Sequence, residues 1–256
     1  GIPYTLACPP GNIYDPENPV EGNEEYLTVG ELQEMHQGGV DISCHHWRQY
    51  NMDDTELLPT EDDYDADLTR CLEQFREWGI TDVISVAYPQ GVIADNYLHV
   101  AKRHFRMGFG VKKAINQRPY ASFRMDRCET FPTGSAYVAD LTLALAEAKA
   151  RVDTLAQDGG WLICMTHAWY DTFSPGDLRS LVAYIREQGI EIVGVNEAIR
   201  TSGNVVEVGD IVKPLEEQTA PFFVVDADGN THTNALHNYT PSGETLTEIT
   251  PAYNLG

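Results

Sequence analysis

The sequence predicts an α/β fold, either an α/β barrel or a doubly wound sheet, followed by a small β-rich appendage. Three observations carry that reading. Short apolar runs alternate with amphipathic helical stretches from residue 3 to about residue 200, the pattern of parallel strands joined by crossover helices. Two of the runs share one plan: Val40-Asp41-Ile42-Ser43-Cys44 leads into His45-His46-Trp47, and Trp161-Leu162-Ile163-Cys164-Met165-Thr166 leads into His167-Ala168-Trp169. The carboxyl ends of parallel strands are where such folds build their sites. After Gly203 the period changes, and Asp228-Gly229-Asn230 between two β-prone runs signals a hairpin.

Taken in order, residues 3–8 are a β-prone run stopped by Pro9-Pro10-Gly11. Thr28-Val29-Gly30-Glu31 has capping-box spacing and opens a helix with Leu32, Met35 and His36 on one face. Gly38-Gly39 ends it, and the strand 40–45 follows. Past a polar loop, Asn51 to Thr60, a second helix carries the stripe Leu68, Cys71, Leu72, Phe75 and Trp78, and stops at Gly79. The run 82–87 is a buried strand closed by Tyr88-Pro89-Gln90-Gly91. A helix near 94–105 and a strand near 107–111 come next, then a less regular run at 122–126. The longest helix is expected over 135–157. Ser174-Pro175-Gly176-Asp177 opens another after the His167 strand, with proline in the first turn. A last strand at 190–195 and a short helix to Arg200 complete the alternation.

Composition excludes some functions. With 17 Lys and Arg against 39 Asp and Glu, the net charge is -22, which repels a phosphate backbone and argues against nucleic-acid partners. An uncharged or cationic substrate such as a glycan suits that charge better. Mean hydropathy is -0.33, and no apolar run approaches the ~20 residues of a membrane span. The chain opens on Gly1, so its compartment is not readable from a leader. The five cysteines are widely spaced without a C-x-x-C pair, which supports neither a zinc ribbon nor a disulfide scaffold.

From Gly1 to about Arg200 the chain resembles the NodB-like polysaccharide deacetylases, carbohydrate esterases built on a deformed (β/α) barrel of seven or eight units. The likeness lies in Gly1-Ile2-Pro3-Tyr4-Thr5-Leu6, in Leu27 to Gln49, in Ala87-Tyr88-Pro89-Gln90-Gly91, in Met165-Thr166-His167 and in the closing Ile190–Arg200. It implies a barrel over residues 1–203 with its first strand, bearing a pair of aspartates, upstream of Gly1, and a β appendage over 204–256. It further implies removal of acetyl groups from a polysaccharide with the help of a divalent metal, expected to be zinc. His45 stands at the first metal-histidine position and Gln49 at the second, where glutamine is a poor zinc ligand. His167 takes the place of the acid that protonates the leaving group. The Gln90 backbone N–H takes that of the oxyanion donor, with Tyr88 and Trp47 beside the substrate. His46 points to the other face of its strand and reads as structural. The alternative, favoured by Gln49 in place of histidine and by the absence of the aspartate pair from this stretch, is a degenerate deacetylase-fold domain acting as a glycan-binding or assembly module. An open barrel edge beside residues 3–8 is expected to be covered by part of 204–256 or by a second copy of the chain.

Overall fold

The computed structural model describes residues 2–22, 25–118, 120–130, 142–168 and 173–202, with two further strands at 223–225 and 231–233. The chain divides into two compact units, Gly1–Thr201 and Ser202–Gly256.

The first unit is a deformed (β/α) barrel built on a seven-stranded sheet in which every pairing is parallel. The strands are β1 (Thr5–Cys8), β2 (Asp41–Cys44), β3 (Ser85–Ala87), β4 (Met107–Val111), β5 (Met125–Thr130), β6 (Thr142–Leu143) and β7 (Ile163–Met165). Order follows the chain from β1 to β6, and β7 pairs with β5. Helices α1 (Val29–Gln37), α2 (Glu61–Glu77), α3 (Leu98–His104) and α4 (Leu145–Asp158) lie in the crossovers β1–β2, β2–β3, β3–β4 and β6–β7, and α5 (Pro175–Glu187) and α6 (Val195–Thr201) follow β7.

Local chemistry fixes the helix starts. Thr28 and Glu31 form a full capping box on α1, and Thr60 and Asp63 do the same on α2, each satisfying first-turn N–H groups that a helix leaves unpaired. The α2 stripe buries Leu68, Cys71, Leu72 and Phe75 against the sheet. Beneath it, Cys8 and Cys44 are register partners on β1 and β2, and Cys71 comes down from α2 to join them. Four of the five cysteines are buried and Cys164 is exposed, all as free thiols. A second cluster gathers Cys128, Leu143, Ala148, Val152 and Leu181 under α4 and α5.

Three expectations need correction. The run 190–195 is not a strand. Its end is instead tied down by side chains, with Val195 N–H donating to Thr5 Oγ1 at 3.0 Å and Asn196 N–H to Asp41 Oδ2 at 2.9 Å. The long helix begins only at Leu145, because Thr142–Leu143 pair with Glu129 and Thr130 as β6; residues 135–141 of the expected helix lie outside the described residues. The run 122–126 leads straight into a regular six-residue strand, β5. Among the described residues strand β1 pairs only with β2, at an end of the strand order. In the second unit β8 (Phe223–Val225) and β9 (Thr231–Thr233) form an antiparallel pair.

Candidate active site

At the carboxyl ends of the central strands four ionisable side chains form one linked group. His45 follows the last residue of β2, and its Nδ1 lies 2.5 Å from the Ala87 carbonyl at the end of β3. The next carbonyl, Tyr88, accepts from Arg127 Nη2 at 2.9 Å, while Arg127 Nε donates to Gly110 O at 3.1 Å. Arg127 and Glu129 sit two apart on β5, hence on one face. Glu129 is fully buried, and its Oε1 lies 2.9 Å from His167 Nδ1. Glu129 Oε2 is buried with no hydrogen-bond partner.

Electrostatics assign protonation states. Burial, and then the Arg127 guanidinium, push the His45 imidazole down to about 3, with His167 among the other charges acting on it. His45 is thus neutral near pH 7, its Nδ1–H donates to Ala87 O, and Nε2 carries the lone pair. At His167, Nδ1 meets the Glu129 carboxyl oxygen at hydrogen-bonding distance, the contact that orients the ring. Arg127 is itself pushed down to about 10 by burial, against the pull of Glu129; it stays charged.

The remaining sequence candidates divide. Gln90 is exposed in a left-handed conformation, φ 53°, and its Oε1 accepts from Asn51 Nδ2 at 3.3 Å. Gly91 follows at φ 73°, and a Cβ there would stand 2.7 Å from the Val111 nitrogen, so only glycine fits this turn. The Tyr88 side chain does not line a pocket. Its ring is fully buried with the hydroxyl donated to Phe123 O at 3.3 Å, so it supports the loop from beneath and contributes its carbonyl to Arg127. Trp47 lies under the Arg70 guanidinium, 3.6 Å from the ring centroid. Gln49 is exposed at φ 61° in the turn that follows β2. His46 lies past the end of β2 in a left-handed turn, φ 58°, so strand parity does not set its direction; it is fully buried, Nδ1 2.6 Å from Tyr50 O and Nε2 3.3 Å from the Tyr64 hydroxyl.

These residues do not fit a divalent metal. Among the described residues no three His, Cys, Asp or Glu side chains converge as a metal would require. The charge beside His45 is the Arg127 guanidinium, which repels a cation.

Arg127 and Glu129 escaped the sequence reading. In Met125-Asp126-Arg127-Cys128-Glu129-Thr130 the alternation of charged and uncharged residues suggests a solvent-facing strand. The available signal was opposite charges at i and i+2 in a chain whose order makes that strand central.

No family model and no curated protein matches this chain. Among solved structures, the chain is similar to a putative polysaccharide deacetylase from Mycobacterium smegmatis, with a TM-score of 0.53 and 13% identity over 78% of this chain and 73% of that one. A carbohydrate esterase domain of a multidomain xylanase from the hindgut metagenome of Trinervitermes trinervoides matches with a TM-score of 0.42 and 11% identity, over 81% of this chain and 96% of that one. A Streptococcus pyogenes deacetylase matches with a TM-score of 0.37 and 20% identity, over 41% of this chain; the match spans 46% of that enzyme's length, less than half. The Mycobacterium smegmatis match establishes the fold: this chain has the NodB-like deacetylase barrel.

Proposed function

We propose that this barrel is a deacetylase-type hydrolase that removes acetyl groups from a glycan, with His167 as the proton donor to the departing group. One observation carries the reading: a fully buried carboxylate, Glu129, holds His167 Nδ1 at 2.9 Å at a strand end facing His45 and Arg127. A buried carboxylate that orients an imidazole fixes its tautomer and accommodates the charge the ring acquires on protonation. His167 Nε2 is then placed to give a proton to the nitrogen or oxygen released from the acyl carbon.

In this reading the Gln90 backbone N–H is the donor to the developing oxyanion, while the Gly91 N–H is given to Tyr88 O at 3.0 Å and holds the turn. His45, neutral and with its Nε2 lone pair, accepts a hydrogen bond from a water or hydroxyl group. The resemblance also implies a divalent cation. The side chains described around His45 do not supply a ligand set for it.

The test is acetate release from N-acetylated chito-oligosaccharide and from an O-acetylated oligosaccharide. Glu129→Gln and His167→Gln are each expected to lower kcat by about 10²–10⁴, the share of a positioned acid–base group, with KM little changed. Turnover in the wild-type chain that is untouched by both substitutions sinks the assignment, as does the absence of acetate release from either substrate.

A further inference from the structure

We infer that the cleft beside Trp47 is a binding site for an anionic sugar, one carrying a carboxylate or a phosphate. The cleft has a volume of about 470 Å³ and lies between the loop after β2 and the first half of α2, within the size range of small-molecule sites. Trp47, Tyr50 and Leu57 give it an apolar floor and rim, and Leu57 is half exposed. Two arginines, Arg48 and Arg70, and two aspartates, Asp63 and Asp67, complete the lining.

The four charges are not equivalent, because the acids are already engaged. Asp63 Oδ2 accepts from both the backbone N–H and the hydroxyl of Thr60 as the capping box of α2. Asp67 Oδ2 accepts from Trp47 N–H at 3.2 Å. Neither arginine has a carboxylate within 4 Å or a hydrogen-bond partner among the described residues. The Arg70 guanidinium carbon stands 3.6 Å from the Trp47 ring centroid, a cation–π contact that restrains the side chain at the cleft it lines. In a chain with 39 acidic residues for 17 basic ones, two arginines share this cleft, and although Arg70 feels the charge of Asp67, neither is ion-paired at contact distance. The hydrogen-bonding capacity left open there is cationic, planar and forked, the geometry that takes carboxylate or phosphate oxygens.

The site adjoins the proposed active site. Trp47 is two residues from His45, and the same loop reaches the Gln90 turn through Asn51. The glycan identity rests on the deacetylase reading, whereas the anion selectivity rests on the cleft alone. It also refines the inference from net charge, which pointed to neutral or cationic substrates: the local field differs from the global one.

The test is calorimetric titration of the full chain with a digalacturonate, with the uncharged digalactose of the same linkage, and with galactose 6-phosphate, at low and at physiological salt. The acidic sugars are expected to bind about tenfold or more tighter than the neutral one, and more weakly as salt rises. Arg48→Met and Arg70→Met, which keep bulk over the cleft and the indole, are each expected to lose about tenfold for the acidic sugar alone, while Arg48→Lys retains part of it. A preference of the phosphate over the uronate, with the same arginine dependence, identifies the anion as phosphate. Equal affinity for neutral and acidic sugars, arginine variants that bind like the wild type, or no binding at all overturns the proposal. Acetate release is scored separately: a chain that deacetylates but ignores charge refutes the anion site alone, and one that binds uronate without turnover refutes the hydrolase alone.

Discussion

Acidification probes the buried imidazoles directly. His46 is fully buried and its ring is pushed down to about 4, by burial first, with the hydrogen bond to Tyr50 O working the other way. An unfolded chain binds that proton near pH 6.5. Between pH 6.5 and 4 the unfolded state therefore holds a proton at residue 46 that the folded state refuses, and stability falls as pH falls. From pH 6.5 to 4.5 the loss from His46 alone is about 2–3 kcal/mol. His45, pushed down to about 3, acts in the same direction. Asp67 opposes them: burial raises it to about 6, so protonating it on the way to pH 4.5 returns about 2 kcal/mol. Two imidazoles outweigh one carboxylate, and a net loss is expected. The assay is urea unfolding followed by tryptophan fluorescence at the two pH values. All four tryptophans, Trp47, Trp78, Trp161 and Trp169, lie in the first unit, so the signal reports on the barrel. His46→Asn, an amide that tolerates the φ of 58° at this position, should shrink the difference between the two pH values by about 2–3 kcal/mol. A barrel as stable at pH 4.5 as at 6.5, or a variant with the wild-type difference, refutes the reasoning.

The other predictions concern the site and its supports. Gly91→Ala combines a left-handed backbone with a Cβ 2.7 Å from the Val111 nitrogen, and should cost about 2–3 kcal/mol in thermal unfolding; an unchanged Tm counts against the turn geometry. Glu129→Gln and His167→Gln should lower kcat for acetate release while leaving KM near the wild-type value, as set out above. Equilibrium dialysis against Zn²⁺ should leave the chain well below one bound ion at micromolar free metal, since the described residues bring no three ligands together. One tightly held ion per chain would show that a ligand set forms after all.

The barrel was legible because burial and period act locally. A buried parallel strand needs a short apolar run, a covering helix needs a 3.6-residue stripe, and the glycine stops between them mark each exchange. Strand 107–111 and the α2 stripe follow from that logic alone. His45 and His167 were legible for the same reason, as polar residues at the ends of apolar runs. Arg127 and Glu129 were not, because a charged residue on a strand ordinarily means solvent. The inward face of a barrel at its functional end breaks that rule, since each charge there is balanced by a partner far away in sequence: Tyr88 O for Arg127, His167 for Glu129. The segment 190–195 was misread because its β-branched composition fits a strand, whereas its end is fastened through the side chains of Thr5 and Asp41. Non-local contacts of that kind leave no periodic trace.

The thiols give the barrel an internal gauge of its own opening. Burial raises Cys8 and Cys71 far from the thiolate form, and Cys44 and Cys128 are as hidden. Cys164 meets solvent, yet burial of its sulfur pushes the thiol up to about 12, so an alkylating reagent should reach it first but slowly at neutral pH, and the remaining four only as fast as the interior breathes. The slow phase times excursions of the core without any engineered label, and sugars that tighten the loop after β2 should lengthen it.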